Sequence, residues 1–421
     1  MERLLLIAFL VLFFGRIVVR YLLQRANVSY LKAHGKEVPA VFKDSVDETT
    51  LGKMVDYTCD NARLTTVEDL VEDAIELAML FLLVPYLVSL LVALNIHIIW
   101  QSLIFFGVLA AIGSLFSLPF SLYNTFVLEK AYGFSTITWK IWITDLIKST
   151  VISAVLMGIM LSVFMALVVR LPHTWWFWAW AALVLFQILI MWAYPVLIAP
   201  LFNKYEPIKD DTLRDDIIAL LSKVNLKAKG IFQVDAGKRS RHTNAYFTGI
   251  GRTKRIVLYD TLLASHAPGE ILSVLAHEIG HWKKKHILKQ LIFMIGASLV
   301  LFYAIYLITA SPVLYRTFGV QHEVIYAGLF LVSLYLGTLK FFFSPAGAAV
   351  MRRYERQADT MAVELTGTSA PMIEALKRLA KDNLSNLHPH PVYTWFYYSH
   401  PPLTERIEYL QETETGRERS V

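Results

Sequence analysis

Cysteine is all but missing from this chain of 421 residues, with Cys59 standing alone. One thiol cannot build a disulfide scaffold, a thiolate zinc finger or a cysteine-held cluster. Charge is scarce as well: Asp, Glu, Lys and Arg make up 18% of the chain, against about 25% in an ordinary soluble domain. Disorder is excluded, because 13% aromatic and 56% hydrophobic residues bury too much surface to stay unfolded. The net charge of +6 gives no case for nucleic acid, since the basic residues form no single stripe. Internal repeats and low-complexity tracts are absent. What is present is apolar, with a mean hydropathy of +0.48, and it comes in long runs. The composition is that of a multi-pass membrane protein.

A helix needs roughly 20 mainly apolar residues to cross about 30 Å of hydrocarbon. Runs of that length lie at Leu4–Leu23, Leu77–Leu94, Leu103–Leu128, Val151–Val169, Trp175–Ile198, Leu291–Ala310 and Val324–Phe343. Arg16 and Arg20 interrupt the first. It reads as a retained span whose arginines snorkel towards one face, because no small-residue cleavage site follows it. Segments 24–76, 129–150, 204–286 and the tail after Arg352 hold most of the Lys and Arg. Seven spans put all four on one side, and the positive-inside rule makes that side cytoplasmic, with the N-terminus outside. The membrane is the inner membrane in a bacterium or the endoplasmic reticulum in a eukaryote.

The segment 204–286 is the one large polar insertion. Asp210–Val224 has the pattern of an amphipathic helix. Gly230–Val234, Asn244–Thr248 and Arg255–Tyr259 are short β-like runs between Gly-containing and basic turns. Pro268 then opens a helix that runs to about Lys285. The expected fold is therefore an all-α membrane protein of seven transmembrane helices with a small α/β insertion. Its parts are 1–203 with five spans, 204–286 as the insertion, 287–350 with two spans, and 351–421 as a C-terminal segment. The last residues, Glu412–Val421, are polar and expected to fray.

On the predicted helix stands His277-Glu278-Ile279-Gly280-His281, an H-E-x-x-H motif. Its spacing puts both imidazoles on one face, able to converge on one Zn²⁺, with Glu278 near enough to take a proton from water. The bland alternative is two exposed helix histidines with a glutamate between them. Catalytic zinc wants a third protein ligand. Glu355 and Asp359 leave the last span on one helix face, at i and i+4. Glu355 suits the third ligand, and Asp359 suits acceptance of a hydrogen bond from a ligating histidine. Without the first motif, the same charges would read as an ordinary juxtamembrane run.

The H-E-x-x-H motif, within Leu275–His281 (LAHEIGH), and five further blocks resemble the type I CAAX prenyl endopeptidases, integral-membrane zinc metallopeptidases with a downstream glutamate ligand. The blocks are Phe126–Phe134 (FVLEKAYGF), Pro200–Lys204 (PLFNK), Asp235–Gly249 (DAGKRSRHTNAYFTG), Glu355–Asp359 (ERQAD) and Asn383–Arg406. The resemblance covers most of the chain. It implies spans enclosing an intramembrane chamber, a zincin-like insertion, and one zinc ion held by His277, His281 and Glu355 with Glu278 as base. It also implies that Asn244 and Ala245 belong to an edge strand that pairs with substrate backbone, and that His400 and Arg406 stabilise the oxyanion. The implied partners are membrane lipid and peptide or protein substrates, prenylated C-termini among them, and no nucleic acid. The implied activity removes the last three residues of prenylated CAAX proteins. A membrane quality-control protease without prenyl dependence is the alternative. A transporter with an incidental motif fits poorly, because the cores of spans two, three and five carry no Lys, Arg, Asp or Glu. His286, His388 and His390 gain no role from the argument; His97 and His173 read as interface residues.

Overall fold

The computed structural model of the protein describes residues 1–226, 228–249 and 255–418. Seven helices among them are long and apolar enough to cross a bilayer. They are Glu2–His34, Glu48–Ala93, Ile98–Ala131, Trp139–Arg170, Trp175–Leu201, His286–Thr309 and Ile325–Thr366, called spans one to seven below. Each contains one apolar run read from the sequence, to within a residue at either end. The chain is a multi-pass integral membrane protein.

Hydropathy does not reveal how far these helices continue into water. Span two starts at Glu48, far ahead of Leu77, because Asp47 caps it by accepting the Thr50 N–H at 2.6 Å. Its polar first half runs beside span one, and this changes the reading of the two arginines. They do not snorkel. Arg16 Nη2 donates to Asp73 and Glu76, both at 2.8 Å, while Arg20 pairs with Asp73 and with Asp69 at 3.2 Å. A charge held inside a bundle needs such partners, since desolvation otherwise drives it out.

Spans one, two, three, four and seven share an apolar core that includes Phe9, Leu80, Phe105, Met165, Tyr326 and Leu331. Outer positions such as Val11, Leu115, Val155 and Phe293 stay exposed, as a helix face turned to lipid must.

The insertion forms a four-stranded sheet from β1 (Tyr205–Pro207), β2 (Gly230–Val234), β3 (Ala245–Thr248) and β4 (Arg255–Tyr259). The order is β1-β2-β4-β3, with β2 and β4 parallel and the outer pairs antiparallel. β1 escapes sequence reading because it has three residues, one of them proline. Among the described residues β3 pairs with β4 alone and is an edge strand, beginning at Ala245 and not at Asn244.

The helix bearing the H-E-x-x-H motif spans Pro268–Lys283. Glu270 holds its start, accepting the Ala267 N–H at 3.0 Å and pairing with Arg378. Ile271, Leu275 and Ile279 bury one face against Ile256 and Leu258 of the sheet and Ile217 of the helix Asp211–Ser222. Each buried aliphatic side chain is worth about 1.5–3 kcal/mol, so this face anchors the motif. Helix Leu403–Glu418 closes the described chain; residues 419–421, the end of the stretch expected to fray, lie outside the described part.

Candidate metal centre

Two helices build the centre, the motif helix Pro268–Lys283 and the C-terminal half of span seven. They can approach closely because Gly280 faces span seven. A Cβ there would meet the Ala358 Cα at 2.9 Å and the Met361 Cβ at 3.1 Å, which no real side chain tolerates without backbone movement. Glycine at the fourth motif position is thus a packing requirement, and it brings two histidines against Glu355.

The three donor groups converge. His277 Nε2 lies 3.1 Å from His281 Nε2 and 3.3 Å from Glu355 Oε2, and His281 Nε2 lies 3.2 Å from Glu355 Oε1. A tetrahedral ion with bonds of about 2.0–2.2 Å holds its donors roughly 3.3–3.5 Å apart, so the separations suit a single metal ion. A second observation agrees. Glu355 Oε2 is buried and has no hydrogen-bond partner, which is costly unless something positive sits against it. His277, His281 and Glu355 therefore form a cluster able to hold a metal ion.

The surroundings reinforce a positive charge in the gap. Asp359 is fully buried and accepts the His277 Nδ1–H at 2.7 Å, which turns Nε2 inward. Burial works against a charged His277 ring, yet the hydrogen bond to Asp359 and the Glu355 carboxylate beside the ring outweigh it and hold the ring proton up to about 9. A metal ion would have to displace that proton, since a ligating imidazole is neutral. Glu278 is half-buried beside the ligands. Burial pushes its carboxyl up, against the pull of His277 and His281, towards the range useful to a base.

His400 and Arg406 arrive from the C-terminal segment by different routes. His400 Nε2 stands 3.3 Å from Glu355 Oε1 with its side chain 61% exposed, so one ring face overlooks the cluster from the open side. Arg406 is buried, and its Nε and Nη2 both donate to Asp359, at 3.0 and 2.6 Å. Only Nη1 remains, 4.0 Å from Glu355 Oε2. Asn244 and Ala245 stand at the start of β3, against which the motif helix packs. Asn244 is exposed and its carbonyl accepts the Tyr259 N–H at 3.1 Å, while Ala245 is buried. Just ahead of them, His242 stacks on Phe134 and bonds to Glu129 and Asn383. The Glu129 hydrogen bond raises the His242 proton above the usual histidine range. This fastens the strand to the end of span three and the turn that follows it, a link that residues so far apart in sequence do not announce.

Sequence reasoning missed one more residue at the centre. His286 is completely buried, with Nδ1 3.1 Å from the Nδ1 of His281. Helical spacing could not have found it, because Lys285 adopts a left-handed conformation at φ 56 and breaks the helix between them.

Comparison with known proteins agrees over most of the chain. Residues 27–204 match the family model for the CAAX prenyl protease N-terminal region with five membrane helices, and residues 207–414 match peptidase family M48. CAAX prenyl protease 1 of Saccharomyces cerevisiae is 35% identical over 408 residues, 90% of each chain. A CAAX prenyl protease 1 homolog of Arabidopsis thaliana is 38% identical over 291 residues, covering 69% of this chain and 68% of its own. The crystal structure of S. mikatae Ste24p superposes with a TM-score of 0.89 at 33% identity, covering 97% of this chain and 99% of that one. With both family models matched end to end around a cluster of two histidines and a glutamate, the chain belongs to the CAAX prenyl proteases of the M48 peptidase family.

Proposed function

We propose that this protein is an integral-membrane zinc endopeptidase that removes the last three residues of prenylated CAAX proteins. The observation that carries the reading is the convergence of His277, His281 and Glu355 around an unpartnered carboxylate oxygen, next to Glu278. Two imidazoles and one carboxylate at tetrahedral separations are a donor set that suits catalytic Zn²⁺. When bound, the ion would polarise the scissile carbonyl and acidify water. The names of the relatives supply the substrate class.

The chain's own groups account for the remaining work. The outer edge of β3 offers backbone groups to an extended peptide; the Ala245 N–H, which donates to Asn244 Oδ1 at 2.8 Å, joins them once that side chain gives way to substrate. Glu278 takes a proton from the attacking water and returns it to the leaving amine. His400 donates to the oxyanion from the exposed side, and Arg406 has Nη1 for the same purpose while its other nitrogens hold Asp359. The four basic segments face the cytoplasm, which leaves the N-terminus outside.

Purified protein incubated with matched farnesylated and unprenylated CAAX peptides tests the whole. Release of the terminal tripeptide is expected from the farnesylated peptide, and a chelator should stop it. Equal cleavage of both peptides would replace this reading by that of a prenyl-independent membrane protease.

His400 has its own test. An oxyanion donor acts only as charge develops, so His400→Ala should lower kcat by roughly 10²–10³-fold with KM and zinc content nearly unchanged. Loss of zinc would make it a fourth ligand. Normal turnover in a folded variant would remove it from the site.

A further inference from the structure

Metal-ligating histidines are usually oriented by whatever accepts the hydrogen on their second ring nitrogen. For His277 that group is Asp359. For His281 it is not a carboxylate. Its Nδ1 faces the Nδ1 of His286 at 3.1 Å, and His286 Nε2 faces Gln357 Oε1 at 2.9 Å. The His286 ring is shut away from solvent and lies flat on Tyr354, with centroids 4.0 Å apart and planes 7° from parallel. Tyr354 and Gln357 flank Glu355 on span seven. The same helix therefore supplies the third ligand and the seat for His286.

Counting hydrogens leaves one arrangement. His281 Nε2 points at His277 and Glu355, so it must be bare to donate to a metal ion. The ring hydrogen of neutral His281 is then on Nδ1. Its partner, His286 Nδ1, must be the acceptor, which places the His286 hydrogen on Nε2. That hydrogen in turn meets the Gln357 carbonyl oxygen. Any other distribution sets two N–H groups or two lone pairs against each other inside a buried site. We propose that His286 is a positioning residue that fixes the tautomer and ring orientation of His281 for the metal, and that Gln357 fixes His286 in turn. The inference rests on the zinc reading above and extends it.

The two ligating histidines thus have partners of different charge, an anionic Asp359 and a neutral imidazole. A second carboxylate in place of His286 would make the centre more anionic; a neutral acceptor gives orientation without that addition. Packing alone, the competing explanation for a histidine stacked on tyrosine, makes no demand on which atom sits at Nδ1.

That difference is the basis of the test. In full-length detergent-purified protein, zinc affinity is measured by competition with a fluorescent chelator, alongside thermal melting. His286→Ala is expected to weaken zinc binding by roughly 10–100-fold, as removal of a supporting hydrogen-bond partner typically does. His286→Asn, whose Oδ1 stands near the lost Nδ1 and accepts in the same way, should recover most of that loss. Gln357→Leu, which leaves the His286 ring and its stacking in place, should weaken zinc several-fold, and it carries the test if His286→Ala does not fold. Affinity unchanged in His286→Ala or Gln357→Leu, or an Asn variant as weak as the Ala variant, would overturn the proposal. Failure of the wild-type protein to bind zinc would instead overturn the reading beneath it.

Discussion

Glu278→Gln is expected to lower peptide cleavage by about 10²–10⁴-fold, the usual worth of general acid–base catalysis, while zinc content stays at the wild-type level. The reasoning separates geometry from chemistry. The cluster consists of His277, His281 and Glu355, so an amide at position 278 leaves every donor in place. It cannot accept a proton from water at neutral pH. Burial raises the Glu278 carboxyl, with His277 and His281 opposing, and this tuning is wasted on an amide. Steady-state kinetics with a farnesylated peptide, paired with elemental analysis for zinc, reads both quantities. Normal turnover would take the base role from Glu278, and zinc loss with it would make Glu278 part of the metal set.

Glu355→Gln should remove both metal and activity. Oε1 lies 3.2 Å from His281 and 3.3 Å from His400, and Oε2 lies 3.3 Å from His277. A neutral amide there loses the negative charge that draws a cation in, and its NH₂ group can donate to the bare imidazole nitrogens and occupy the lone pairs a metal ion needs. The drop in zinc affinity should exceed the 10–100-fold typical of supporting residues, with cleavage below detection. The melting transition should shift little, because association of the spans depends on side-chain packing and not on the ion. Zinc bound at one equivalent by an active Glu355→Gln enzyme would disprove the ligand assignment.

The contrast between what was legible and what was not has physical causes. Spans are legible because crossing hydrocarbon imposes a length and a composition on a contiguous stretch. The motif histidines and the Glu355–Asp359 pair were legible because a single helix fixes their spacing. The partners of Arg16 and Arg20 were not, since Asp69, Asp73 and Glu76 sit in a different helix and their pairing depends on where span two begins. Arg406 illustrates the same limit. Its residue type suggested a donor, but only packing reveals that Asp359 engages two of its nitrogens. His286 lay beyond reach for a local reason, the left-handed residue Lys285, which ends the periodicity that would have related it to His281.

Span seven is one unbroken helix from Ile325 to Thr366, roughly 63 Å long at about 1.5 Å per residue. Glu355 stands about 18 Å along that rod from Phe343, where the apolar run ends. A few degrees of tilt about the buried end would carry Glu355 through several ångströms, on the order of ten times the ~0.2 Å that coordination tolerates. The contact of Gly280 on Ala358 answers this, because it makes the motif helix a passenger on the same rod. Histidines and carboxylate then move as one body whenever the bilayer thins or the helix leans. What such motion would alter is the height of the centre relative to the hydrocarbon, a height set by the stretch of helix between Phe343 and Glu355.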